Sequence, residues 1–139
     1  MADKVDFELV SPERLLISQA VDMVVVPGSE GYFGVLPGHA PMIVQVRPGV
    51  IDMYEGDRVV DRLFVAGGFA EVNEKRCTVL AEEAVPVVAL DRSAVEQQIR
   101  NLTEDLQDSK DDEQKVKLEA RLDVARAKLE VLEGPGATH

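Results

Sequence analysis

From Val5 the apolar residues fall on alternate positions: Val5, Phe7 and Leu9 with Asp6 and Glu8 between them. A period of two suits a strand with one buried face. The same pattern recurs at Arg14 to Ser18, Val21 to Val26, Tyr32 to Leu36, Met42 to Val46, Val50 to Tyr54, Val59 to Val65, Phe69 to Val72 and Arg76 to Ala81. The intervening segments, such as Pro27-Gly28-Ser29-Glu30-Gly31, Arg47-Pro48-Gly49 and Asn73-Glu74-Lys75, are rich in residues that set turn geometry. Short strands at this spacing predict a sandwich or a barrel.

Past Pro86 the pattern changes. No Gly or Pro occurs from Val87 to Glu133, and the apolar spacing lengthens to three and four. Val95, Ile99, Leu102 and Leu106 share one helix stripe, and Leu118, Leu122, Ala125, Leu129 and Leu132 form a second. Between them, Asp108-Ser109-Lys110-Asp111-Asp112 holds side chains that bond their own backbone and so compete with helix. Two stripes joined by a polar break predict an antiparallel hairpin. Its second helix should run roughly 20 residues, or about 30 Å, and stop at Gly134-Pro135-Gly136. Ser93 with Glu96 offers a capping box for the first helix, with Asp91 as a competing cap. The expected architecture is α+β and mainly β: an antiparallel sandwich of about ten strands over residues 1–87, then a two-helix hairpin over 88–139 with a short flexible tail. A hairpin of this kind buries little surface and should be held in place by only a few kcal/mol.

Charge narrows the partners. With 15 basic and 26 acidic residues the net charge is −11, which argues against nucleic acid, whose phosphates need clustered Lys and Arg. Only six aromatics occur, without Trp, so stacking platforms for bases are lacking. The lone Cys77 can form no internal disulfide, and with two scattered histidines it makes no zinc set; it reads as a small buried strand residue. The N-terminus lacks the apolar run of a signal peptide, and no stretch approaches the roughly 20 apolar residues of a membrane span. A cytosolic protein able to dock on a membrane complex is expected.

Candidate chemistry is thin. Gly28-Ser29-Glu30-Gly31-Tyr32-Phe33-Gly34 superficially resembles a phosphate-binding loop, but strand pattern rather than a helix follows it, so a turn that needs φ > 0 is the better reading. His39 has no Ser or Cys nucleophile in a recognisable motif nearby and reads as a loop residue with a structural or contact role. Glu82 and Glu83 are adjacent on a strand and point to opposite faces, so they cannot flank one glycosidic bond. The basic residues Lys115, Lys117, Arg121, Arg126 and Lys128 are interleaved with acids and suggest a solvated face with pairs such as Glu113 to Lys117, or a helix able to touch an acidic partner. No catalytic residue, metal site or cofactor is expected. A ligand-binding or carbohydrate-binding sandwich with the hairpin as a dimerisation device is the alternative; it would need exposed aromatics, and Phe7, Tyr32, Phe33, Tyr54, Phe64 and Phe69 mostly occupy positions that read as buried.

Val26-Pro27-Gly28-Ser29-Glu30-Gly31-Tyr32-Phe33-Gly34-Val35-Leu36-Pro37-Gly38-His39-Ala40-Pro41 resembles the signature stretch of the epsilon subunits of F-type ATP synthases. The resemblance continues through Arg47-Pro48-Gly49, the run from Phe64 to Val72 and Thr78-Val79-Leu80-Ala81, and it extends to the order of the two parts. It implies a non-catalytic rotor subunit on the cytoplasmic face of the bacterial inner membrane, packed on the gamma subunit and the ring of c subunits and linking proton transport to ATP synthesis. Ser29, Glu30, Gly31, Tyr32 and His39 match the family's ring-facing loop. The hairpin of this family can reach the alpha and beta subunits and restrain hydrolysis, a role for which Lys115, Lys117, Arg121, Arg126 and Lys128 would serve. Some relatives bind ATP through Ile or Leu, Asp, two residues, Arg, Ala. Leu90, Asp91 and Arg92 begin that pattern here, but Ala94 and Val95 stand where its Arg and Ala belong, and Arg92 comes two positions early.

Overall fold

The computed structural model describes residues 3–134, and the chain divides into two compact units, Met1–Val88 and Ala89–His139. The first contains β1 (Val5–Val10), β2 (Leu15–Val21), β3 (Met23–Gly28), β4 (Gly31–Val35), β5 (Met42–Val46), β6 (Gly49–Glu55), β7 (Arg58–Val65), β8 (Gly68–Val72), β9 (Arg76–Ala81) and β10 (Ala84–Pro86). Hydrogen bonding runs β4-β3-β6-β7-β10 on one side and β5-β8-β9-β1-β2 on the other. The two halves join where Gly28 of β3 pairs with Val46 of β5. Around that joint Arg47 donates its N–H to the Pro27 carbonyl and Ser29 to the Gln45 carbonyl, each at 2.9 Å. Elsewhere β1 touches β3, and β2 touches β6, without pairing, so the halves stack as two five-stranded layers.

The alternation read from the sequence becomes the core. Val5, Phe7 and Leu9 of β1 join Val24 and Val26 of β3, Ile51 and Met53 of β6, and Cys77 and Val79 of β9 in one buried cluster. Not all pairings are antiparallel as expected: β1 runs parallel to β9, from Asp6 opposite Arg76 to Val10 opposite Leu80. A parallel pair needs a long crossover, which the intervening strands provide. The strand expected from Val21 starts at Met23, because Val21 completes β2 opposite Val5. Asp22 turns the chain, its carboxylate accepting the Gly56 N–H and pairing with Lys4 at 3.2 Å. The three-residue β10, which lacks the length to show a period, pairs with Leu63–Val65.

The second unit is the hairpin of α1 (Arg92–Asp108) and α2 (Asp112–Glu133). Asp91, not Ser93, caps α1: its side chain accepts the Ser93 N–H at 3.1 Å, so the Ser93–Glu96 box is not built. Asp111 caps α2 through the Glu113 N–H at 3.1 Å. Leu102, Leu118, Leu122 and Ala125 form the hairpin core with Ile99 and Leu106 against it. Beyond Ala125 the expected stripe shifts. Lys128 and Val131 are buried, whereas Leu129 and Leu132 are only half-buried. Gly134 ends α2 by donating its N–H to the Glu130 carbonyl at 3.0 Å; Pro135, Gly136 and the expected tail lie outside the described residues.

Candidate functional site

Of the five residues expected to share one surface, four cluster at one end of β4. Gly28 and Gly31 pair across β3 and β4, leaving Ser29 and Glu30 as an exposed two-residue tip. Gly31 has φ +132°, a value that L side chains rarely adopt. Tyr32 follows half-buried; its hydroxyl accepts the Val50 N–H at 3.4 Å, and the Arg47 guanidinium lies 5.1 Å from the ring centroid. His39 is elsewhere. It follows the far end of β4, about 17 Å of strand away at ~3.3 Å per residue, in a loop anchored by the Gly38 N–H on the Glu74 carbonyl at 2.7 Å. Its Nδ1 lies 2.8 Å from the Ala40 carbonyl, and since a carbonyl only accepts, Nδ1 is the donor. The expected five-residue group is therefore two places at opposite ends of a strand.

A second surface escaped the sequence reading. Across the outer face of β5-β8-β9-β1-β2 the register aligns Gln45, Phe69, Leu80, Val10 and Leu15 in a single row. Phe69, Leu80 and Leu15 are 56%, 48% and 53% exposed, and Ile43, on the same face of β5, is 75% exposed. The next row is Ile43, Glu71, Thr78, Glu8 and Ser18, in which the Thr78 hydroxyl donates to Glu8 at 3.3 Å. An apolar band bordered by polar groups is how a protein contact presents itself on a free subunit. Phe69, read as buried with most of the aromatics, is the exception: Phe7 and Phe64 are fully buried, and Tyr32, Phe33 and Tyr54 are half-buried. Parity within β8 carried the signal, since Phe69 shares its face with Glu71 and not with the buried Ala70 and Val72.

On the hairpin Lys117, Arg121 and Arg126 are exposed and Lys115 is half-buried. Lys128 differs from them, being only 9% exposed. Among the described residues no ion pair joins Glu113 to Lys117; both ion pairs described within the hairpin involve Arg92, with Glu96 at 3.6 Å and with Glu133 at 2.9 Å. At the start of α1, then, Asp91 is the helix cap and Arg92 ties the two helix ends together. Burial pushes the Cys77 thiol up to about 12, so it stays protonated near neutrality. Among the described residues no group of three His, Cys, Asp or Glu side chains could hold a metal ion, and no helix is long and apolar enough to cross a membrane.

Residues 4–87 match the family model described as the beta-sandwich domain of the ATP synthase delta/epsilon subunits, and residues 91–139 match the model of the C-terminal domain of the ATP synthase epsilon subunit. The protein is 59% identical over 137 residues to the ATP synthase epsilon chain of Rhodospirillum centenum, an alignment that covers 95% of this sequence and 94% of that one. To the same-named protein of Rhodospirillum rubrum it is 48% identical over 134 residues, covering 96% of this sequence and all of the relative. Its fold is similar to that of a subunit in the cryo-EM structure of the Euglena gracilis mitochondrial ATP synthase, with a TM-score of 0.81 at 22% identity over 95% of this sequence and 83% of that one. With both units matched in order and relatives aligned nearly end to end, the protein belongs to the ATP synthase epsilon chain family.

Proposed function

We propose that the protein is a non-catalytic central-stalk subunit of a bacterial F-type ATP synthase that joins the gamma subunit to the c ring and so couples proton transport to ATP synthesis. The observation that carries this reading is the presence of two separate exposed surfaces on one sandwich, an apolar row and a polar tip. The apolar row of Phe69, Leu80 and Leu15, with Ile43, suits a tight, largely permanent interface with gamma. The Ser29–Glu30 tip with Gly31 and Tyr32 suits the polar loops of the ring. His39, at the other end of β4, is assigned to a contact separate from the tip. A subunit held between two partners works at the cytoplasmic face of the membrane through the complex alone, with no chemistry of its own.

Phe69→Asp combined with Leu80→Asp tests the first surface. Both side chains are exposed, so the variant should fold, yet its affinity for gamma should fall by about thirtyfold or more, since each apolar anchor contributes ~1–2 kcal/mol. Coupled ATP synthesis in depleted and resupplied membranes should fall with it. Unchanged gamma affinity would reject that surface. Glu30→Lys should weaken the ring contact and spare gamma.

The exposed Lys117, Arg121 and Arg126, with Lys115, are further proposed to meet an acidic surface of the catalytic head and restrain hydrolysis. Truncation after Val88 should then raise ATP hydrolysis by the assembled enzyme, and an unchanged rate would remove this role.

A further inference from the structure

Arg47 is the side chain that reaches both flanks of the Ser29–Glu30 tip. On the β3 side its Nε donates to the Gly28 carbonyl at 3.2 Å, and its backbone N–H holds Pro27 at 2.9 Å. On the β4 side its guanidinium lies 5.1 Å from the centroid of the Tyr32 ring. Tyr32 is itself fixed from a third direction. Its hydroxyl accepts the Val50 N–H, and a Cβ on Gly49 would stand 2.9 Å from both that hydroxyl and Pro27 Cβ, so only glycine leaves the ring room. Besides these contacts the turn is held by the Gly28–Gly31 pair and by the Ser29 N–H on the Gln45 carbonyl.

We infer that Arg47 is a positioning residue: it fixes the Ser29–Glu30 tip in the geometry that engages the ring, acting through Gly28 and Tyr32 rather than touching the ring itself. The inference rests on the tip being the ring contact. A planar guanidinium can donate along one edge and stack by its face at once, whereas a lysine ammonium is a compact point charge with no donor at the Nε position. Charge alone therefore does not supply the function, and the conservative replacement is the informative one.

The test uses the full-length protein and detergent-solubilised c ring. Arg47→Lys should lower the unfolding midpoint only slightly and leave gamma affinity unchanged. It should speed exchange of the Ser29 amide, which is bonded to the Gln45 carbonyl, by about an order of magnitude through local opening. It should also weaken ring affinity about fivefold, less than the full worth of the two contacts because they act on the tip and not on the ring. In a Tyr32→Leu background, Arg47→Gln should add less loss than it causes alone, since only its bond to the Gly28 carbonyl remains. Full additivity would mean that Arg47 touches the ring directly and would overturn the inference, as would Ser29 exchange and ring affinity that Arg47→Lys leaves alone while Glu30→Lys weakens binding. If Glu30→Lys is also without effect, the ring reading of the tip fails first, and the inference falls with it.

Discussion

Seventeen buried residues from nine strands make one cluster in the sandwich, whereas four buried residues, with two more leaning on them, make the core of the hairpin. Every sandwich strand from β1 to β9 shares in the larger cluster, so a local loss is spread over two layers. The hairpin's cluster follows the line where α1 meets α2. Extra burial thus makes the sandwich a platform, and its scarcity leaves the hairpin able to lose structure while the platform stands.

The sharpest way to break this comparison is on the side of the platform. Gly68 has φ +136°, and a Cβ there would lie 1.9 Å from the Leu80 carbonyl oxygen. Since backbone must move, Gly68→Ala should cost more than about 4 kcal/mol and abolish the cooperative urea transition of the sandwich; a wild-type midpoint would show that β8 and β9 are looser than their pairing indicates. Next in size is Leu122→Ala. A loss of about 2–4 kcal/mol equals or exceeds what so small a core holds, so helical circular dichroism should drop while the sandwich transition stays put. A single joint transition would mean that the two units unfold as one.

Smaller effects sharpen the picture. Asp91→Ala should destabilise α1 by about 1 kcal/mol and Ser93→Ala by far less, as read from thermal melts of helical signal; the reverse order would restore the capping box. Smallest is the pH response of the Lys4, Asp22 and Glu55 group. The Gly56 N–H, and after it Lys4, lower the Asp22 pKa from 3.8; the contribution is complete above that value and disappears as pH falls through the lowered one. Lys4 is raised from 10.5 by Glu55 and then Asp22, so its contribution is complete below that value and is lost as pH rises through the raised one. Asp22→Asn should flatten the acid limb of midpoint against pH, and all three groups are exposed enough for salt to shrink the effect.

Legibility followed the range of the physics. Val5, Phe7 and Leu9, the two helix stripes as far as Ala125, and the break at Asp108–Asp112 are set by near neighbours, and periodicity reports near neighbours. The row of Phe69, Leu80, Val10 and Leu15 takes one residue from each of four strands, so no window along the sequence contains it. The distance of His39 from Ser29 depends on β4 being extended and bound along its length. The burial of Lys128 was not legible because lysine is usually solvated and the helical period does not place it on the stripe of Leu118, Leu122 and Ala125. Two-sided support of the tip by Arg47 likewise needs β3, β4 and β5 brought together.

The parallel pairing of β1 with β9 bears on how the protein comes into being. Glu8 and Thr78 are bonded across 70 positions, so a ribosome adding about 5–20 residues per second exposes β1 for several seconds before its second neighbour has been made. During that interval β1 has β2 as its one strand partner, and Val5, Phe7 and Leu9 lack the part of their core that Cys77 and Val79 supply. The nascent polypeptide is therefore most prone to aggregate before β9 emerges, and codons that slow elongation between the two strands should lower soluble yield even though they leave the finished protein unchanged.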